Sequence, residues 1–236
     1  MNQKQAAFAL VTFFAIVTAS TTLLNRTGAA APAKPKAPFP VASVDDTLAT
    51  APSQERFVLA GGCFWGVQAV FQHVKGVTKA TSGYAGGAAK TAHYEQVSDG
   101  NTGHAESVEV TYDPAQITYG QLLRVFFSVA HDPTEKNRQG PDEGPQYRSA
   151  IFYATPRQQE IARAYIAQLN DSKIFSRPLA TELTSLTGFY PAEAYHQNYA
   201  TKNPFDPYIM VNDRPKVNNL KSQYPDLYTE HLAPAQ

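Results

Sequence analysis

Arg56-Phe57-Val58-Leu59-Ala60-Gly61-Gly62-Cys63-Phe64-Trp65-Gly66 is the stretch on which the fold turns. Its apolar run is of strand length and ends at two glycines; beyond them Val67, Val70, Phe71 and Val74 recur at helical spacing until Gly76. The reading is a buried strand, a tight turn and a helix. That turn carries the only cysteine and the only tryptophan of the 236 residues. A lone cysteine has no disulfide partner within the chain and lacks the companions of a structural zinc site, which leaves a reactive thiol or an inert buried one. At a helix start, unpaired N–H groups and the macrodipole favour an anion, so the position predicts a lowered thiol pKa.

Working outward, Val77–Tyr84 reads as a second strand and Ala105–Tyr112 as a third. Parity in the third strand puts Glu106 on the face shared by Val108, Val110 and Tyr112, because successive strand side chains point to opposite sides. A carboxyl on an apolar face must pair with a cation or keep its proton, and His104 is the basic group nearest in sequence. Thr118 and Gln121 form a capping box ahead of a helix over 119–130. Residues 131–146 form a long polar loop, of the kind that carries function. A strand over 149–154, a helix from Pro156 to Leu169, a strand over 181–186 and a short helix over 191–199 follow. A histidine on that last helix, His196, would be satisfied by backbone. The order β-α-β-β-α-β-α-β predicts an α+β fold, a ferredoxin-like α/β sandwich on a mixed sheet. It forms a single catalytic domain over 54–212, with 213–236 as a C-terminal extension.

Twenty basic residues balance 20 acidic ones for a net charge of +0, which argues against nucleic acid as a partner. No metal-ligand spacing and no phosphate-binding glycine motif is present. Lys4 precedes an uncharged apolar run from Ala6 to Leu24, and small residues follow at Gly28 to Ala31. Residues 1–31 therefore read as a signal peptide or, since the run is long enough to span a bilayer, an N-terminal membrane anchor. The expected location is outside the cytoplasm, periplasmic in a bacterium, or membrane-anchored. Residues 32–53, with Pro32, Pro35, Pro38, Pro40 and Pro52, read as a Pro/Ala-rich linker. An unpaired cysteine in an oxidising compartment points to a use.

A thiol at a helix start, two aromatic residues beside it (Phe64 and Trp65) and an acid on a buried face suit one type of reaction. The thiolate attacks a weakly electrophilic, apolar centre while the acid protonates its oxygen. From these residues alone an acyl transferase, a peroxidatic thiol and a binding module without turnover stay open. The motifs narrow the field. GGCFWG at 61–66, SGYAGG at 82–87, YEQVSDGNTGHAESVEVTYDP at 94–114, HDPTEKNRQGPDEGPQYRSAIFY at 131–153 and YHQNYATKNP at 195–204 resemble the A-class peptide methionine sulfoxide reductases. The resemblance runs from about Phe57 to Pro204.

This resemblance implies that Cys63 attacks the sulfoxide sulfur of the S epimer, releases methionine and is left as a sulfenic acid. It implies that Phe64 and Trp65 receive the methyl group and that Glu106 protonates the oxygen. Tyr94 and Tyr147 would hydrogen-bond near that oxygen, and Asp142 would orient the site. No bound cofactor or metal is implied; the substrates would be oxidised proteins or peptides and free methionine sulfoxide. One departure stands out. Many members carry resolving cysteines in the C-terminal segment, the first close to the position of Ile209, and this chain has none. Its sulfenic acid would need an external thiol: thioredoxin, glutaredoxin or a small thiol.

Overall fold

In the computed structural model, which describes residues 38–235, the predicted strand is β1 (Glu55–Ala60) and the predicted helix α1 (Phe64–Gln72). Gly62 turns the chain between them at φ +86°, and a Cβ there would lie 2.5 Å from the Gln139 side chain. Both conditions call for glycine. There follow β2 (Val77–Ala85), α2 (Tyr94–Ser98), β3 (Ala105–Tyr112) and α3 (Tyr119–Val125), which runs on as a π turn over Phe126–Ala130. The polar loop folds into a small hairpin, β4 (Arg138–Gln139) with β5 (Asp142–Glu143). The chain then forms β6 (Ala150–Tyr153), α4 (Pro156–Ser172), β7 (Glu182–Ser185), β8 (Phe189–Pro191), α5 (Tyr199–Lys202) and α6 (Arg214–Gln223).

The main sheet has the order β7-β6-β1-β3-β2-β8. Every pairing is antiparallel except β6 with β7. Its inner four strands, β6-β1-β3-β2, carry the ferredoxin-like order expected from the element sequence, and the parallel edge makes the sheet mixed. Phe57 and Leu59 of β1 and Val108 and Val110 of β3 pack in one cluster with Val67, Val70 and Phe71 of α1, Leu122 and Leu123 of α3, and Ile161 and Leu169 of α4. Each such fully buried side chain stabilises the fold by about 1.5–3 kcal/mol. The other face holds a smaller cluster around Val58, Ala60, Ala85, Ala105 and Phe152. The capping box forms as read: Gln121 N–H donates to Thr118 Oγ1 and Thr118 N–H to Gln121 Oε1.

Three expectations are corrected. The described part of the 32–53 linker is docked rather than loose. Phe39 is buried, its carbonyl accepts from Arg124, and Pro40 accepts from Tyr165 Oη–H. Asp45 takes the N–H of Gly120 at 2.8 Å and the Thr118 hydroxyl, so a residue distant in sequence satisfies orphan donors of α3. The stretch 213–236 is part of the domain: Leu220 of α6 is buried against α1, and the tail bonds to it and to β2 through Ala233 N–H to Gln72 O and Ala80 N–H to Pro234 O. The short helix expected over 191–199 gives way to the end of β8, which pairs with β2, and a 3-10 turn over Ala194–His196. The signal peptide or anchor at 1–31 lies outside the described residues. Among the described residues no helix is long and apolar enough to cross a membrane.

Candidate active site

Cys63 is the N-cap of α1, with φ −55° and ψ 125°, and is 7% exposed. From β3, Glu106 reaches the same turn: its Oε2 accepts from Phe64 N–H at 3.1 Å. One of the orphan donors of α1 is thus spent on the carboxyl. His104 does not pair with Glu106, because its ring bonds with Gly87 N–H and Ala88 O instead.

The electrostatics follow from burial. Glu106 is pushed up to about 8, first by loss of water and then by the carboxylates of Asp142 and Asp213, against the pull of the Phe64 N–H and the Cys63 thiol. It is the acid that keeps its proton, one of the two options parity left open. Cys63 is pushed well above an ordinary thiol, by burial first and then by Glu106 and Asp213; the Trp65 N–H and Lys216 act the other way. The expectation of an acidic thiol is therefore corrected. The helix start contributes its N–H, but dehydration and two carboxyl groups outweigh it.

The remaining predicted residues converge on this pair. Phe64 is fully buried, its ring 5.9 Å from that of Tyr84. Trp65 stacks on Tyr199 at 3.7 Å with 11° between planes and meets the Tyr208 ring edge-on at 6.0 Å. Tyr94, at the start of α2, is fixed by its N–H to Glu193 Oε1 at 3.0 Å. Burial raises its phenol pKa and that of Tyr147, with added repulsion from Glu106, Asp142 and Cys63, so both hydroxyls face the same charges. Asp142 of β5 accepts from Tyr208 Oη–H at 2.5 Å and is raised, mainly by burial. Among the described residues no three His, Cys, Asp or Glu side chains are grouped to hold a metal. The arrangement is a buried thiol and a neutral acid at one helix start, walled by aromatic rings and ringed by tyrosine hydroxyls.

The family model for peptide methionine sulfoxide reductase matches residues 55–227. The chain belongs to that family. A peptide methionine sulfoxide reductase MsrA 2 from Mesorhizobium japonicum is 59% identical over 76% of this chain and 92% of its own length. One from Synechocystis is 52% identical over 80% and 88%. Among solved structures, yeast Mxr1 in its reduced form aligns with a TM-score of 0.59 at 32% identity, over 70% of this chain and 92% of its own. Methionine sulfoxide reductase A of Corynebacterium diphtheriae aligns with a TM-score of 0.56 at 37%, over 67% and 80%. The protein is a peptide-methionine (S)-S-oxide reductase, and its fold is theirs.

Several residues of the reductase's site escaped the sequence reading. His196 is not satisfied by backbone: its Nδ1 accepts the Trp65 indole N–H at 3.2 Å. The neutral ring then bears its proton on Nε2, which is buried with no partner among the described residues. Tyr199 closes the short helix expected over 191–199, whereas Tyr208, Asp213 and Lys216 come from the aperiodic C-terminal segment, where no hydrophobic period marks a facing side. A glutamine network seats the stretch before it. Gln68 of α1 donates to Gln197 Oε1 at 2.9 Å, and Gln197 in turn accepts from Ser82 N–H. Gln68 and Gln72 sit among the apolar positions of α1 and are 1% and 2% exposed; polar residues on a buried helix face were the available signal.

Proposed function

We propose that the reductase works through Cys63 as nucleophile and Glu106 as proton donor, and that an external thiol recycles it. The observation that carries this is the neutral Glu106 carboxyl, locked on Phe64 N–H beside the Cys63 thiol. With the substrate methyl against Phe64 and Trp65 and its oxygen among Glu106, Tyr94 and Tyr147, the sulfur of Cys63 attacks the sulfoxide sulfur. Glu106 gives its proton to the oxygen and takes one from the thiol; the hydroxyl then moves to the Cys63 sulfur as the newly formed S–S bond breaks and the thioether leaves. The products are a thioether and a sulfenic acid. Asp142, bonded to Tyr208, holds the far side of the site.

The sulfenic acid has no second cysteine in the chain to condense with. An incoming thiol forms a mixed disulfide and releases water, and a second thiol frees Cys63 and leaves as the reductant's disulfide. Thioredoxin, glutaredoxin and small thiols each supply that chemistry. The apolar N-terminal run supports export, to the periplasm in a bacterium, or anchoring at a membrane, and cell fractionation of the full chain separates these locations.

The central test is a single turnover on a methionine sulfoxide peptide without reductant. One equivalent of thioether and a sulfenic acid at Cys63, seen by trapping and mass spectrometry, are expected, and Cys63→Ser abolishes both. Thioether formed while the Cys63 thiol stays intact would sink the reading.

A further inference from the structure

Asp213 is a carboxylate with 1% exposure that no step above uses. It closes the π turn over Ile209–Asp213 and leads into α6. Its Oδ1 pairs with Lys216 Nζ at 3.1 Å, while Oδ2 is buried with no partner among the described residues. The pair is pressed against the first turn of α1. A Cβ on Gly66 would collide with Asp213 Oδ1 and stand 2.7 Å from Lys216 Nζ. Glycine is a poor helix residue, so its place three residues after Cys63 is explained by this close approach. A half-satisfied buried carboxylate is costly, and here it stands behind the turn that holds the thiol.

We propose that Asp213, braced by Lys216 against the first turn of α1, is a positioning residue whose negative charge adds to burial in holding the resting Cys63 as a neutral thiol. The groups around Cys63 come from several elements: Glu106 from β3, Asp142 from β5, Tyr94 and Tyr147 from the rim, Tyr208 beside Asp213, and Lys216 from α6. Glu106 is largely neutral near pH 7 because its value lies at about 8. Burial is the first cause that keeps Cys63 protonated; Asp142 is not among the charges that act on it, so after Glu106 the carboxylate that opposes a thiolate is Asp213, and Lys216 is the cation that moderates it. Such a guard suits an enzyme without a resolving cysteine. A permanent thiolate would be open to every electrophile, and no internal thiol could reverse the damage.

The inference rests on Cys63 as the working thiol, yet it is tested without turnover. Cys63 is the only cysteine, so the pH dependence of its alkylation by iodoacetamide in the full chain reports on it alone. Asp213→Asn should lower the midpoint by about one pH unit, making alkylation near neutral pH about tenfold faster. Adding Lys216→Met to that variant should bring the midpoint back up, because the remaining cation is removed. A midpoint unchanged or raised in Asp213→Asn, in protein with wild-type near-ultraviolet circular dichroism, overturns the proposal. So does a double variant no higher than the single one. If the Asn variant does not fold, Asp213→Ser is read in the same way, and failure of both to fold assigns the pair to structure alone and overturns the proposal too. A wrong assignment of the nucleophile would show elsewhere, as reductase activity surviving in Cys63→Ser.

Discussion

The site is built from two regions that differ in kind. One is the sheet-borne floor, where β1, α1 and β3 carry Cys63, Phe64 and Glu106 on elements packed into the main core. The other is the C-terminal segment from Tyr199 to Lys216, whose Phe205 is 82% exposed and Val211 66% exposed. This segment meets the floor through Tyr199 on Trp65 and Asp213 against Gly66, and the β5 hairpin through Tyr208 on Asp142. The floor is packed into the core. The segment has little core of its own, so its geometry and the site's are one problem. In the proposed mechanism the floor performs the chemistry and the segment sets its surroundings.

The largest effect is expected on the floor. Glu106→Gln should slow thioether formation in a single turnover on the order of 10²–10⁴-fold, with substrate affinity little changed. The wild-type step needs the protonated carboxyl, so its rate should fall as pH rises through about 8, and that limb should vanish in the variant. The stability effect has a definite sign. The folded value lies above the ordinary 4.5, so the contribution is fully present below 4.5 and is lost as pH rises through about 8. In urea titrations at pH 9 the Gln variant should be the more stable protein, and a wild type that matches it there would show that Glu106 is not held neutral by burial.

A smaller effect probes the segment. Tyr208→Phe removes a hydrogen bond to the half-buried Asp142 carboxylate, an interaction of about 1.5–3 kcal/mol, and should lower kcat/KM about tenfold. The melting temperature should fall as well, by about 2–4 °C for each kcal/mol lost. Rates that survive while the melting point drops would mean that the segment only packs. The smallest effect on chemistry belongs to a remote control. Asp45→Ala strips α3 of a distant cap and should cost about 1 kcal/mol of stability while leaving turnover unchanged; a loss of turnover without a change in stability would break the division between the two regions.

Legibility followed the same line. Strand parity placed Glu106 beside the buried apolar row, and the glycine turn placed Cys63 at the start of a helix, because both periods are local and covalent geometry enforces them. Tyr94, Asp142 and Tyr147 were reached only through motif resemblance. They sit on short turns and a two-residue strand where no period exists. Tyr208 and Asp213 had no signal of either kind, and the docked stretch around Asp45 was hidden behind a composition that reads as a tether. A single aspartate that caps a helix 75 positions away leaves no trace in composition.

By itself, then, the sequence determined the β-α-β-β-α-β order of the sheet core, the lone thiol at a helix start and the acid on a buried face, all properties of neighbours along the chain. The tertiary structure decided the charge state of that thiol and acid, since the water each has lost and the carboxylates each faces come from segments far away in sequence. It is for that reason that the thiol of Cys63, read from its helix start as an easy thiolate, is pushed up by burial.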